Sequence, residues 1–401
     1  MKKTLLATAI LVGMAGVSQA ESSVTLYGLV DAGYGYQHTE TKHRGAYEHG
    51  KIKRSNIQVH SGVMNGNRWG LKGSEDLGNG TSAIFILESG FDLANGESIQ
   101  GGRLFGRQAL VGLTSENWGT FSIGRQYNAG ETFVAPIDPF GTGGGFAAAN
   151  SIFGNSIFDR YDSSIKYMTP NLGGFKFGVS AVHDDSETKY SGSFGDYKVT
   201  SRRVGVSTGL SYSNGPIYIG ATFDYIDQKD RDPYAKDSAG NLDPIDSRHK
   251  TKAWNIGGTY DFDVAKLHLL YGGQRDGSIG GVGMLAARVA ADAPIVTTGF
   301  DGDGLKQHSW LAGITAPVGD AGNLMFSYAG NVVKNEEVAD NFKVKSHNFG
   351  LGYRHNLSKR TSVYGVATYG WSEGKERHLA NGTGKVKVTA TQAIVGLQHR
   401  F

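Results

Sequence analysis

Stretches in which every second residue is apolar recur along this chain of 401 residues up to its last position. In residues 217–225 the apolar face consists of Ile217, Ile219, Ala221, Phe223 and Tyr225, and in residues 392–401 it consists of Ala393, Val395, Leu397, His399 and Phe401. A period of two is that of a β-strand, and small or polar residues occupy the opposite face. The pattern predicts an all-β protein in which the two sides of the sheet face different surroundings.

Two kinds of connection alternate strictly between these strands. Seven are short and carry the Asn, Asp, Gly and Pro residues of tight turns: 74–80, 115–119, 169–174, 213–216, 261–264, 318–323 and 356–360. Eight are longer and charged or rich in glycine: 37–55, 93–101, 129–158, 185–199, 229–249, 277–305, 335–341 and 373–385. These fifteen connections join sixteen antiparallel strands, with the short turns at one end of the sheet and the long loops at the other. We expect no helix.

Segregated turns and loops are typical of a transmembrane β-barrel, with short turns on the periplasmic side and long loops outside. Closure of the sheet satisfies every backbone hydrogen-bonding group, as a bilayer requires. Sixteen strands enclose an interior too wide for side chains to fill, so it holds water. The composition agrees, with 60 Gly, 19 Phe and 19 Tyr but only 8 Pro. No apolar run after residue 20 is long enough for a membrane-spanning helix.

Residues 1–20 have the form of a cleaved signal peptide, with Lys2 and Lys3, an apolar stretch, and small residues before the cleavage site at Ala20. Residues 21–401 are then a single barrel domain. Without the two lysines the net charge falls from +3 to +1, which gives no indication of a nucleic-acid partner. Because the chain has no Cys, its stability does not depend on disulfides.

Motifs along most of the chain resemble the trimeric general porins of Gram-negative bacteria, especially the neisserial and related β-proteobacterial branch. They are SVTLYGLVDAG (23–33), NRWGLKGSEDLGNGTSAIFILESGFDL (67–93), LFGRQALVGL (104–113), GTFSIGRQYN (119–128), DRYDSSIKYMTPNLGGF (159–175) and VGLQHRF (395–401). The resemblance implies a homotrimer of water-filled channels in the outer membrane, surrounded by lipid and lipopolysaccharide. It implies passive diffusion of small hydrophilic solutes and ions, with no cofactor.

The third long connection, about 129–158, is the expected constriction. It contains Phe133, Phe140, Phe146 and Phe153 but few charges, which suits a loop folded into the barrel against its wall better than a loop in water. An apolar surface loop is the alternative. Its ionisable residues, Glu131 and Asp138 with Asp159 at its end, are predicted to line the pore. The family has an acid, a proline, a phenylalanine and a glycine at the loop tip, whereas here the acid precedes the proline in Asp138–Gly141.

A basic wall is expected to face this loop. The resemblance assigns Arg68, Arg107, Arg125 and Arg160 to it, and Lys72 shares the face of Arg68 through the period of two. Glu88 is also predicted to point inward, because an ionised side chain in a strand is costly against lipid. The alternative for each is an ordinary ion pair, and simple alternation from Phe121 and Ile123 would turn Arg125 outward. Across the narrow part the predicted basic residues outnumber the acidic ones, which predicts a mild preference for anions.

The sequence leaves three other functions to consider. A channel specific for a sugar or an anion would use the phenylalanines of the loop as a track. An enzymatic barrel would need a nucleophile beside a base, and no Ser and His pattern supports one, so we expect no enzyme. A candidate metal site is formed by His38, His43, His49 and Glu48, although a hydrated polar loop is the simpler explanation.

Phe401 is expected in the periplasmic aromatic girdle. By resemblance, it is also the signal that the barrel-assembly machinery recognises.

Overall fold

The computed structural model describes residues 22–44, 49–156, 159–191, 196–235, 244–277, 304–335, 342–378 and 382–401, so the predicted signal peptide lies outside the described residues. Seventeen strand segments form one sheet. They are β1 (Ser22–Arg44), β2 (His49–Ser61), β3 (Arg68–Asp76), β4 (Thr81–Gly90), β5 (Gln108–Ser115), β6 (Gly119–Tyr127), β7 (Arg160–Met168), β8 (Phe175–Tyr190), β9 (Tyr197–Asn214), β10 (Ile217–Asp232), β11 (Ile245–Asp261), β12 (Lys266–Arg275), β13 (Leu305–Val318), β14 (Gly322–Asn335), β15 (Phe342–Asn356), β16 (Thr361–His378) and β17 (Gly382–Arg400).

The sheet closes on itself through β1. One edge of β1 pairs antiparallel with β17. The other edge pairs with β3 over residues 22–29 and with β2 over residues 32–44. Because β2 and β3 share one position beside β1, the seventeen segments form a barrel of sixteen antiparallel positions, as predicted. Just beyond the end of β17, Phe401 and Gly28 of β1 exchange backbone hydrogen bonds of 3.1 and 3.0 Å.

Short and long connections alternate as predicted, but the strands reach further on the loop side. β1 continues to Arg44 and β2 begins at His49, inside the predicted loop 37–55. β10 and β11 likewise extend into 229–249. Charged residues in these segments indicated loops, but a hairpin outside a membrane can keep pairing its backbone groups, since polar side chains on both faces are then favourable. The absence of helix was also a wrong prediction, because two single-turn helices lie between β6 and β7.

The outer surface of the barrel carries the apolar face of the strands. The most exposed large apolar side chains include Val24, Leu26, Ile57, Val111, Val395 and Leu397. Phe401 is 46% exposed on this face, and its ring covers Gly28, where an added Cβ would overlap with the ring. Within the described residues no helix combines the length and apolarity needed to cross a membrane. The buried apolar residues gather instead inside the barrel, around the segment between β6 and β7.

Candidate functional site

The segment between β6 and β7, here termed the inner loop (128–159), lies inside the barrel. It contains α1 (Ala129–Phe133), α2 (Asn150–Phe153) and three short 3-10 turns. Phe133, Ile137 and Ile152 are each fully buried and pack in one cluster with Leu270, Leu311 and Ala329 of the barrel wall. Residues 157–158, at the end of the predicted loop, lie outside the described residues.

Glycines in the wall make room for the inner loop. Phe133 lies against Gly178, Gly209 and Gly220 of three adjacent strands, and an added Cβ at Gly209 or Gly220 would overlap with it. Further along the loop, Ala147 takes the space beside Gly350 in the same way. A residue with any side chain at these positions would push the loop toward the axis, so part of the high glycine content serves loop docking.

Polar side chains of the wall bind the backbone of the inner loop. Gln307 donates to the carbonyl of Ile152 at 2.7 Å, and Ser327 donates to that of Ala147 at 2.9 Å. Further contacts of this kind come from Ser207, Tyr218, His268 and Asn331. Buried backbone groups are costly without partners, so these bonds compensate for removing the loop from water.

Asp138 organises the tip of the inner loop and does not face the cavity as predicted. Its side chain is 4% exposed, and its carboxylate accepts backbone N–H bonds from Phe140 (2.9 Å), Thr142 (3.0 Å) and Ala149 (2.7 Å). Burial raises the pKa of Asp138 to about 6, although these bonds oppose the shift. Asp138, which precedes Pro139, therefore closes a turn of the chain. The local sequence could not distinguish this role from a pore-facing one.

A second buried carboxylate supports the loop tip from the opposite wall. Asp31 accepts backbone N–H bonds from residues 63–65, between β2 and β3, and side-chain bonds from Tyr364 (2.6 Å) and Gln398 (2.8 Å). The carbonyl of Val63 in turn accepts a bond of 2.6 Å from the backbone N–H of Gly144 in the loop. The interruption between β2 and β3 thus positions the tip, and no sequence signal identified it.

On its other side the inner loop borders an open cavity of about 800 Å³. Charged side chains line this cavity from both sides: Arg68, Glu88, Arg107, Glu131, Arg160 and Arg400. Five of these six were among the predicted site residues, and the structure brings those five together. Arg400 was not predicted, although alternation from Phe401 places it on the inner face.

A chain of hydrogen bonds links the wall residues. Arg107 is 4% exposed, and it donates to Glu88 at 2.7 Å and to the hydroxyl of Tyr127 at 2.7 Å. The hydroxyl of Tyr127 also accepts a 2.6 Å bond from Arg160, whose guanidinium lies 4.3 Å from the tyrosine ring centre. Tyr27 donates to Glu88 at 3.0 Å. Tyr127, which the sequence did not single out, therefore holds two arginines in place.

Arg68 and Lys72 complete this wall along β3. Arg68 lines the cavity and makes no ion pair with any residue that the structure describes. Lys72 lies four residues nearer the periplasmic end, with its ammonium group 5.5 Å from the ring centre of Tyr27. Arg68 thus presents its charge to the cavity, whereas Lys72 lies below the residues that line it.

Arg125, like Lys72, is a predicted basic residue that does not line the cavity. It donates to the carbonyl of Gly106 at 2.7 Å and pairs with Asp162 at 2.5 Å, and Asp162 also pairs with Arg103. The pairing of β6 and β7 is shifted between Gly124 and Gln126. Counting every second residue from the exposed Phe121 and Ile123 predicts an outward side chain for Arg125. That prediction fits its partners better than the motif match, which assigned Arg125 to the pore wall.

The remaining predicted acids differ in their partners. Glu131, in the first turn of α1, lines the cavity, and burial raises its pKa against the opposing effect of Lys166 and nearby arginines. Asp159 accepts the backbone N–H of Arg160 at 2.7 Å and lies 3.7 Å from Arg203, and burial raises its pKa. Lys166 and Arg203 were not predicted, although both lie at inward positions of their strands.

Most of the candidate metal site lies outside the described residues. Glu48 and the side chains of His43 and His49 lie outside the described residues. The Nδ1 atom of His38 is 2.7 Å from the hydroxyl of Ser55. In the described part of the chain, no three His, Asp or Glu side chains are grouped so that they could hold a metal ion.

Comparisons with known proteins agree with this geometry. Residues 7–375 match the family model of the Gram-negative porins. An outer membrane porin protein of Bordetella pertussis is 38% identical to this chain, with the whole of both chains covered. The structure of an anion-selective porin from Comamonas acidovorans is 25% identical, with a TM-score of 0.60, covering 95% of this chain and all of the other. OmpT of Vibrio cholerae, described as a trimer form, shares the fold at 15% identity, with a TM-score of 0.58 and coverage of 95% and 99%.

Proposed function

Since the chain belongs to the family of Gram-negative porins, we propose that the cavity beside the inner loop is the selective part of its channel and favours anions. The protein is a passive channel of the outer membrane, built as a closed β-barrel. Family and fold place it among channel proteins and not among enzymes, as the sequence predicted.

The charge around the cavity supports the preference for anions. Four arginines line it, against the two carboxylates of Glu88 and Glu131. Glu88 is paired with Arg107, and Asp138 is bound by the loop backbone, which leaves Glu131 as the main acid facing the opening. The excess charge is therefore positive.

Such a cavity can act on solutes as they pass. At physiological salt the Debye length is about 8 Å, so charges across an opening of similar size are only partly screened. Charged residues lining a pore set ion preference, because an ion that sheds water gains most from groups of opposite sign. The relative from Comamonas acidovorans is described as anion-selective, which agrees with this proposal.

A salt gradient across a planar bilayer tests the proposal. With more KCl on one side, the reversal potential of single channels should have the sign that chloride preference produces. A reversal potential of the opposite sign would contradict the assignment of this cavity, while leaving membership of the porin family intact.

The alternative of a sugar-specific channel rested on the phenylalanines of the inner loop. The exposed fractions of Phe133, Phe140, Phe146 and Phe153 are 0%, 3%, 4% and 2%, so these rings pack into protein and cannot form a track for a sugar. We therefore favour general diffusion. Liposome swelling with sugars of increasing mass should give a smooth fall in rate, and one sugar far faster than its mass predicts would restore the alternative.

We also propose that the protein assembles as a homotrimer through the outer face of its first strands. Val24, Leu26, Val111, Leu113, Phe121 and Ile123 are exposed there, and they form an apolar surface. Van der Waals packing between apolar surfaces can hold subunits together in a membrane. The unheated protein should migrate as a trimer in a native gel, and a strictly monomeric band would exclude this assembly.

Two further proposals concern export. We propose that residues 1–20 are removed and that Phe401 is recognised by the barrel-assembly machinery. Phe401 lies at the end of the closing strand, exposed on the outer face. Phe401→Ala should lower the amount of heat-modifiable folded protein in the outer membrane, whereas Leu397→Ala on the same face should not. Equal folded amounts of both variants would refute the role of Phe401.

A further inference from the structure

A second cavity, here termed the upper cavity, lies between the inner loop and the seam of β1 and β17. Its volume is about 610 Å³, in the range of pockets that hold small solutes. The register pair of Gln37 and Gln392 lines it, whereas the pair of Leu29 and Arg400 lines the cavity that contains the arginines. Residue 37 lies further along β1 toward the long loops than residue 29. A solute that enters from the side of the long loops therefore reaches the upper cavity before the arginines.

The upper cavity differs from the other cavity in its charge. Among the residues that the structure describes, no lysine or arginine lines it, and Asp92 contributes its one carboxylate. One oxygen of Asp92 accepts the backbone N–H of Ala94 at 2.7 Å, which fixes the direction of the carboxylate. The other polar side chains of the lining are those of Gln37, Gln58, His60, Ser61 and Gln392. The lining thus offers acceptors and amide groups, without a cation that would compete for them.

Two of these side chains have a buried atom without a hydrogen-bond partner. Gln392 is 7% exposed, and its Oε1 atom makes no hydrogen bond with any residue that the structure describes. Within the same described part of the chain, the Nε2 atom of His60 has no partner either. Buried polar atoms in native proteins are nearly always paired, so such atoms beside a cavity indicate a partner that enters it.

The amide oxygen of Gln392 is directed at the tip of the inner loop. An added Cβ at Gly145 would lie 2.5 Å from this oxygen, and Gly145 also borders the upper cavity. Because the oxygen has no bond to break, the amide can turn about its side-chain bonds toward a solute at little cost. The absence of a side chain at position 145, where φ is 64°, leaves space for this rotation.

We propose that the upper cavity binds the primary ammonium group of a small organic solute, such as an amine or an amino acid. An ammonium group has three N–H donors and no acceptor, so it fits a lining of acceptors without cations. The carboxylate of Asp92 supplies the opposite charge, and the Oε1 atom of Gln392 and the ring nitrogen of a neutral His60 supply two further acceptors. Phe146 and Ile394 contact the carbon chain of the solute.

This site does not rest on the preference for anions. The arginines lie in the other cavity and act on the opposite charge. An amine in the upper cavity therefore obstructs the current without competing for the arginines. Reversal potentials in KCl alone test the preference for anions, whereas the effect of an added amine on the current tests the upper cavity.

Single-channel recordings in KCl with two isomeric cations test the proposal. Butylammonium and tetramethylammonium contain the same atoms and carry the same charge, but only butylammonium has N–H donors. When added on the side of the long loops, butylammonium should halve the current at a concentration about tenfold lower than tetramethylammonium requires. Equal effects of the two cations, or no effect of either, would overturn the proposal.

A matched pair of substitutions in the external loop between β4 and β5 locates the site. Asp92→Asn should raise the half-blocking concentration of butylammonium about tenfold, because the bound ammonium loses its counter-charge. The control, Glu97→Gln, removes the same charge from an exposed side chain that does not line the upper cavity and accepts a bond from Asn95 at 3.0 Å. It should keep the wild-type value. Equal changes in the two variants would show that the loop charge acts from a distance, which contradicts a built site.

Substitutions of Gln392 should change the block in opposite directions. Gln392→Leu removes the acceptor and should raise the half-blocking concentration, whereas Gln392→Glu replaces the amide by a carboxylate and should lower it. Heat-modifiable mobility shows whether each variant is folded. If Gln392→Leu does not fold, Gln392→Glu and Asp92→Asn still decide, and a block that both leave unchanged would refute the site.

Discussion

The two sides of the inner loop are held by different forces. On the anchored side, Phe133 and Ile152 pack against wall glycines and apolar residues, and amide and hydroxyl groups bind the loop backbone. On the open side, Glu131 borders a cavity opposite Arg68 and Arg160. The wall on the anchored side binds backbone groups of the buried loop, whereas the open side keeps charges that solutes can meet.

Two acids show the difference most clearly. Asp138 and Glu131 lie in the same loop, seven residues apart, and burial raises the pKa of both. The carboxylate of Asp138 accepts three backbone bonds, so it holds the shape of the loop. The pKa of Glu131 responds instead to Lys166 and the wall arginines. Substitutions on the anchored side should therefore change pore size and stability, and those on the open side should change selectivity.

Asp138→Ala should have the largest effect. It leaves three backbone N–H groups without an acceptor, two of them in buried bonds, at a cost of about 1–3 kcal/mol for each group that water does not reach. We expect the loop tip to detach, which raises single-channel conductance and lowers the melting temperature. Asp138→Asn keeps one oxygen acceptor and should lose less. If both variants keep wild-type conductance and melting temperature, the tip does not depend on this carboxylate.

Gly209→Ala tests the packing of the anchored side. The new Cβ overlaps with the ring of Phe133, and overpacking of this kind costs about 1–3 kcal/mol. The control is Gly365→Ala, where an added Cβ meets no atom within 4 Å. Thermal unfolding of both variants gives the difference. In the background of Phe133→Ala the cost of Gly209→Ala should largely disappear, and a cost that persists would place the clash elsewhere.

Arg160→Gln tests the open side, with Arg125→Gln as its matched control. Arg160 lines the cavity, whereas Arg125 is engaged by Asp162 and Gly106. The anion-to-cation permeability ratio, from reversal potentials, should fall about twofold in Arg160→Gln and change little in Arg125→Gln. Equal falls in the two variants would mean that overall charge, and not position in the cavity, sets selectivity.

The smallest expected effect is a dependence of selectivity on pH. Because the pKa of Glu131 is raised, this acid becomes negative only as the pH rises above the range usual for a glutamic acid. The preference for anions should therefore be strongest at acid pH and decline as Glu131 ionises. Glu131→Gln should keep the strong preference across this range, as measured by reversal potentials at several pH values. An undiminished pH dependence in the variant would assign the titration to another group.

The site was predicted best where strand alternation and motif agreed. Arg68, Arg107, Glu88 and Arg160 were assigned from motifs with inward-facing positions, and the structure brings them to one cavity. For Arg125 the two signals conflicted, and alternation described its position better. Lys166 and Arg203 occupy inward strand positions too, so a consistent use of the period of two would have found them. Tyr127 gave no such signal, because its role depends on arginines from two other segments.

The sequence by itself determined the barrel, its sixteen positions and which strand residues face outward. These properties follow from a period of two and from the lengths of connections, both of which are local and repeated along the chain. Only the tertiary structure decided which loop acid meets the cavity and where the loop docks. Asp138 is held by Ala149, which lies 11 residues further along the same loop, and the tip is held by Val63 from a distant segment. Both contacts depend on how the loop is folded inside the closed barrel, and no period of two encodes them.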